Sequence, residues 1–351
     1  MLAVLLAAVA TRALGDDAAA IARARALIDR EMARTLAPGV SVAVARDGRF
    51  VWSEAIGCAD VELQVPVTRT TRLRIGSVSK PLTSAALGRL VQDGKLDLDA
   101  PVQKYVPDFP RKAWPVTTRE LAGHLAGVRH YEGSEFEIRD HYANVRAALA
   151  IFENDALLFE PGTRFSYSSY GWNLISAVLE AASGEPFLTL MQKTVFDPAG
   201  LSHTAPDDPG PIVPGRAHFY TRDEKGNVVN AGFVDNSCKW AGGGFVSTAE
   251  DLVTFALALL DGRLLAPETV RLLWTSQKTT GGKETGYGLG WSVATDRKGR
   301  RRISHSGGAQ GGTAYLVIYP DERLAAAMIV NSDESFTGQT PRIAEMFLDG
   351  D

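Results

Sequence analysis

The sequence predicts an α+β fold: an antiparallel sheet flanked by N- and C-terminal helices, with a mainly helical subdomain inserted into it. Strand-like runs lie towards both ends of the chain, a long stretch of short helical segments broken by Pro and Gly lies between them, and there is neither an internal repeat nor a long linker. The composition agrees. The 351 residues are 45% hydrophobic and 22% charged, which excludes a disordered chain, a collagen-like fibre and a multi-span membrane protein. The formal net charge of -4, from 37 Lys plus Arg against 41 Asp plus Glu, gives no reason to expect nucleic acid as a partner.

The first element is an unbroken apolar run, Leu2 to Ala10, followed by Thr11-Arg12-Ala13-Leu14-Gly15 and two aspartates. It is too short to span a bilayer, so no stable membrane span is expected, but it suits the core of a secretory signal peptide. Residues 1–15 therefore read as a leader and the protein as exported, periplasmic or secreted. No Lys or Arg precedes the run, which keeps a mitochondrial-type leader as the alternative. From Asp16 to Thr35 the chain is rich in Ala, Arg, Leu and Ile and reads as a helix, ended by Pro38-Gly39. Val40 to Ala45 and Phe50 to Ile56 are strand-like around Asp47-Gly48, a strong hairpin signal. A helix follows from Ser77 to Asp93. Shorter helical segments are expected at Thr117–Ala126, Asn144–Phe152, Gly171–Ala182 and Pro186–Val195. Ser247-Thr248-Ala249-Glu250 has the form of a capping box opening a helix through Leu260. Gly288–Ala294, Arg302–His305, Ala314–Tyr319 and Ala325–Asn331 read as strands of a meander, with Arg297, Lys298, Arg300, Arg301 and Arg302 at a solvated hairpin tip. The expected division is a sheet domain of residues 16–95 and 240–351, a helical subdomain of residues 96–239, and a cleft between them.

Several chemistries are absent from the sequence. There is no G-x-S-x-G elbow, no H-E-x-x-H, no P-loop and no Rossmann fingerprint, and the six histidines do not fall at metal-ligand spacings. No metal and no cofactor is expected. Cys58 and Cys238 lie far apart, too little to assign a disulfide or a compartment. What the sequence does contain is Ser77-Val78-Ser79-Lys80 at a helix start. Spacing of i to i+3 puts the hydroxyl and the ammonium on one helical face, about a turn apart. The helix start favours developing negative charge, and a serine beside a proton-accepting lysine is an activated nucleophile. Alone, S-x-x-K arises by chance on the order of once in a chain this long, and its bland reading is a cap followed by a surface lysine.

Two further elements change its weight. Phe165-Ser166-Tyr167-Ser168-Ser169 precedes a helix, and His305-Ser306-Gly307-Gly308 ends a strand. In order and rough spacing, the three elements resemble the pattern of serine β-lactamases and penicillin-binding proteins. The resemblance runs from about residue 20 to 345, on the class C β-lactamase, DD-peptidase and carboxylesterase side. Tyr287-Gly288-Leu289-Gly290-Trp291 and the glycine-rich Ala241-Gly242-Gly243-Gly244 fit it. Asp97 to Pro110, His130-Tyr131-Glu132 and Val234 to Thr248 look most like the mitochondrial serine β-lactamase-like group.

The resemblance implies a β-lactamase/transpeptidase-like fold, with Ser77 as the acylated nucleophile, Lys80 assisting its deprotonation and Tyr167 shuttling the proton. It implies an oxyanion hole from the backbone N–H groups of Ser77 and Gly308, and substrate contacts from Ser169, His305, Ser306 and Gly307. Two positions depart from the family pattern. Ser169 stands where Asn is usual and lacks the paired donor and acceptor arms of an amide. His305 stands where many relatives place lysine, and an imidazole gains charge only as pH falls below about 6.5. Both departures weigh against a dedicated β-lactamase. His124 reads as packing behind the site, Arg129, His130 and Tyr131 as cleft mouth or exposed loop, and Trp240 as core more than rim. The expected function is a serine hydrolase acting on peptide-like amides or esters, with small peptides, esters or β-lactams as substrates. A β-lactamase or DD-peptidase is the alternative, and a non-catalytic scaffold of the same fold the less favoured one. Oligomeric state is not legible.

Overall fold

The computed structural model describes residues 2–334 and 336–349, with side chains from residue 17 onward. Among the described residues twelve strands are formed: β1 Gly39–Arg46, β2 Arg49–Asp60, β3 Val65–Pro66, β4 Leu73–Arg74, β5 Ala205–Pro206, β6 Tyr220–Arg222, β7 Val228–Asn230, β8 Phe245–Ser247, β9 Ser292–Thr295, β10 Arg301–Ala309, β11 Gly312–Tyr319 and β12 Leu324–Val330. The main sheet has seven strands in the order β3-β2-β1-β12-β11-β10-β9, and every pairing in it is antiparallel. Its centre joins the two ends of the chain, with Val40 opposite Val330 and Ala45 opposite Ala325. The expected hairpin is there: Asp47 (φ 52°) and Gly48 (φ 77°) both take the left-handed conformation that a two-residue turn between right-twisted strands requires.

The helices are α1 Leu2–Thr35, α2 Ser79–Gln92, α3 Thr118–Ala122, α4 Val145–Ala148, α5 Ser169–Ser183, α6 Phe187–Met191, α7 Asp197–Ala199, α8 Trp240–Gly243, α9 Ala249–Leu260, α10 Pro267–Leu273 and α11 Thr340–Asp349. Alternate residues of the central strands feed two cores. Val40, Val42 and Val44 of β1 and Met328 and Val330 of β12 pack with Ala24, Leu27 and Ile28 of α1 and Ile343 and Phe347 of α11. Ala43, Ala45, Leu316, Ala327 and Ile329 point the other way, into a second core with α2, α5 and α9. Burial on both faces explains why β12 reads as a continuous apolar run and β1 as one broken only by the buried Ser41, instead of a polar–apolar alternation. The fold is thus the α+β architecture expected, with an antiparallel sheet flanked by the terminal helices.

Some local expectations are corrected. Helix α1 starts at Leu2, so the segment read as a leader is continuous in backbone with the helix after it, while its side chains lie outside the described residues. Among the described residues no single helix is long and apolar enough to cross a membrane. The cap of α9 is Thr248, whose hydroxyl accepts from the Asp251 N–H, and not Ser247. Glu250 is thereby released to accept a hydrogen bond from Ser53 on β2, tying the helix to the sheet. The true capping box is at Thr117 and Glu120, which opens α3. The basic stretch does form a hairpin tip, but Lys298 and Arg300 are not merely solvated: both pair with Asp349 at the end of α11.

Candidate active site

Ser77 lies in a 3-10 turn, Gly76–Val78, that precedes α2, so Lys80 falls in the first turn of the α-helix itself. The small sheet β4-β8-β5 holds this turn in place, with the Ile75 N–H donating to the Phe245 carbonyl at 3.2 Å. Its other side rests on β10, and two glycines permit the approach. A Cβ at Gly307 would lie 1.9 Å from the Ile75 carbonyl oxygen, and one at Gly76 (φ +48°) would lie 2.4 Å from the Gly308 carbonyl oxygen. Strand β9 pairs with β10 only as far as Ser304, so from His305 onward that edge of β10 is open to the nucleophile turn.

Lys80 is fully buried, and its Nζ lies 3.1 Å from Ser77 Oγ, 3.0 Å from Ser169 Oγ and 2.7 Å from the Gly242 carbonyl oxygen. Burial holds its pKa well below the ordinary lysine value, because desolvation disfavours the ammonium. Nζ donates to all three oxygens as the ammonium; once it is the neutral amine, two N–H groups serve Gly242 and Ser169 and the lone pair is left for the Ser77 hydroxyl. Tyr167 lies over the same cluster, with its ring centroid 4.8 Å from Lys80 Nζ. Burial raises its phenol to about 12, against hydrogen bonds with Ser77 and Ser169 that act to lower it. At neutral pH Tyr167 is therefore a phenol.

The tyrosine is placed by the residues around it. Ser168 caps α5 and donates its hydroxyl to the Arg129 carbonyl, while its N–H donates to His124 Nδ1 at 3.1 Å. The His124 ring lies 4.2 Å from that of Tyr167, centroid to centroid, so the packing role expected for it is the one observed. Ser169 N–H donates to His130 Nδ1. A cavity of about 170 Å³ opens on Ser77, Ser169 and Gly308, walled by His130, Tyr131, Phe136, Asn236, Lys239, Gly242, Gly243 and Ala309. A larger cavity of about 730 Å³ beside Arg74, Asp207 and Phe219 contains none of the clustered groups. Arg129 takes no part in the cavity; it is held in ion pairs to Glu135 and Asp155. Trp240 is core. Ser306 is exposed outside the cavity wall, and Gly307 is buried under the nucleophile turn.

His305 corrects the sequence reading most. It is 4% exposed, and both ring nitrogens are engaged: Nδ1 lies 2.6 Å from the Ser306 carbonyl oxygen and Nε2 2.7 Å from the Tyr287 hydroxyl. A carbonyl only accepts, so Nδ1 carries the proton and Nε2 accepts from Tyr287, whose phenol burial keeps protonated. Burial lowers the imidazole to about 3. It therefore stays neutral between pH 6 and 8. This has a consequence for stability. In the unfolded chain the imidazole titrates near 6.5, so stability is fully present above that pH and is lost progressively towards pH 3, by on the order of 5 kcal/mol when complete. The urea midpoint is expected to fall with pH below 6.5 and to fall less in His305→Gln. Equal slopes in the two proteins would refute this titration.

Lys239 was missed altogether, although a lone cation inside Ser237-Cys238-Lys239-Trp240-Ala241-Gly242, next to a glycine-rich turn, was a readable oddity. Cys58 and Cys238 are both free thiols.

Comparison with known proteins follows the same geometry. A family model described as beta-lactamase matches residues 24–348. The chain is 35% identical over 399 aligned positions to the serine beta-lactamase-like protein LACTB, mitochondrial, of Homo sapiens, across 87% of this chain and 73% of that protein. It is 27% identical over 317 positions to a D-aminopeptidase of Gluconobacter oxydans (strain 621H), across 88% of this chain and 59% of that one. The octameric penicillin-binding protein homologue from Pyrococcus abyssi matches with a TM-score of 0.80 at 25% identity, over 93% of this chain and 76% of that one.

Proposed function

The chain belongs to the beta-lactamase family, within the superfamily of serine hydrolases, and on that premise we propose a peptidase or esterase that works through an acyl-enzyme at Ser77. The observation that carries the reading is the buried Lys80 amine within 3.1 Å of Ser77 Oγ. Neutral Lys80 takes the Ser77 proton as Oγ bonds to the substrate carbonyl carbon. Charge then develops on the carbonyl oxygen, and the Ser77 and Gly308 N–H groups are the donors we assign to it. Collapse expels the amine or alcohol, which leaves with a proton relayed from Lys80 through the Tyr167 hydroxyl. Water repeats the cycle on the acyl-enzyme and regenerates Ser77. The phenol form of Tyr167 fits a relay better than a resident base.

Peptide-like amides and esters are favoured over β-lactams by Ser169, which lacks the paired amide arms usual at its position and whose hydroxyl is taken up by Lys80. The similarity to a D-aminopeptidase supports the same side of the family. For location, the likeness to a protein named as mitochondrial supports the organellar reading of residues 1–15 over export. One experiment tests both. Intact-protein mass spectrometry after exposure to esters, D- and L-peptides and β-lactams should find an acyl adduct on Ser77 from an ester or peptide. On protein from the native host, the same spectrum gives the mature N terminus. Adducts from β-lactams alone would overturn the peptidase or esterase assignment, and a chain that retains Met1 would remove the cleaved leader.

A further inference from the structure

Lys239 shares the cavity wall with Ser77, Ser169 and Gly308 but has no place in the proton transfers. It is 6% exposed, a rare degree of burial for a lysine. Its Nζ donates to the Phe136 carbonyl at 2.8 Å and faces the rings of Phe136 and Tyr131, at 5.1 and 5.7 Å from their centroids. Among the described residues no carboxylate forms an ion pair with it. The acids in its neighbourhood are occupied. Asp207 accepts from Arg74, Arg216 and Asn236, and Asp235 from His141 and the Ser237 N–H. An ammonium has three donors, and a single carbonyl takes one of them. Burying a cation without a counter-ion is costly, and aromatic faces compensate only in part. A wall built this way is complete when an anion enters the cavity.

We propose that Lys239 binds a carboxylate on the substrate and makes the enzyme selective for anionic acyl compounds. The cation that His305 cannot supply thus comes from the loop before α8. The proposal rests on the acyl-enzyme reading at Ser77 and adds the substrate class to it.

The test compares wild type, Lys239→Met and Lys239→Arg on three aryl esters: 4-nitrophenyl butyrate, which is neutral, 4-nitrophenyl hemisuccinate, with the carboxylate on the acyl side, and 4-(butyryloxy)benzoate, with it on the leaving group. Lys239→Met should lower the anionic-to-neutral ratio of kcat/KM by about 10- to 100-fold for one of the charged esters. Lys239→Arg should lower it less, and the ester affected tells which half of the substrate Lys239 meets. Removing an unpaired buried cation should leave the melting temperature of Lys239→Met at or above wild type. A ratio changed by less than about 2-fold for both charged esters would overturn the proposal. So would a Lys239→Met protein that fails to fold while Lys239→Arg folds with an unchanged ratio. Wild type that leaves Ser77 unacylated by all three esters would instead defeat the acyl-enzyme reading, and this proposal with it.

Discussion

Ser77→Ala is expected to abolish covalent labelling by a fluorophosphonate probe and to lower turnover of any ester substrate by about 10⁴-fold or more. The size follows from chemistry and not from packing. The substitution removes one hydroxyl from a turn whose backbone is held by β8 and β10, so fold and cavity should persist. Without Oγ there is no acyl-enzyme, and water must attack the substrate directly from a cavity shaped around a side chain. Circular dichroism should be unchanged. An acyl adduct that still accumulates on the variant would place the nucleophile elsewhere, and an unlabelled wild type would support a scaffold in place of a hydrolase.

Tyr167→Phe is expected to fold normally and to lose about 10²-fold or more in kcat/KM, because the ring that packs on His124 remains while the relay hydroxyl is gone. Its pH profile decides between two mechanisms. If neutral Lys80 is the base, activity rises with pH as the ammonium loses its proton, along a limb lying well below the ordinary lysine value. That limb should keep its position in Tyr167→Phe while its height falls. Were the phenolate the resident base, activity would climb only towards about pH 12, and the limb would vanish with the hydroxyl. Lys80→Met should be at least as damaging as Tyr167→Phe. It removes the base and also leaves the Gly242 carbonyl without its donor inside the fold. Parental activity in Tyr167→Phe would reduce the tyrosine to a packing residue.

Much of this was legible in the amino-acid order because it depends on near neighbours. The Asp47-Gly48 turn, the apolar runs of β1 and β12 and the i to i+3 approach of Ser77 and Lys80 follow from local backbone geometry, which a few residues determine. The order of the three motif elements, with the resemblance they carry, needed no coordinates. Capping at Thr248 was misplaced by one residue because Ser and Thr both cap helices well, and the contact of Glu250 with Ser53, across the fold, separates them. Burial was the larger blind spot. Lys80 meets Ser169 and Gly242 from positions 89 and 162 residues away, so the desolvation that makes its amine a base exists only after folding. For the same reason His305 looked like a charge switch and is instead a neutral ring locked between Tyr287 and its own strand, while nothing in the sequence marked Lys239 as buried. Side-chain type and spacing are properties of the sequence; the dielectric surroundings and partners that decide what a titratable group does belong to the tertiary structure alone.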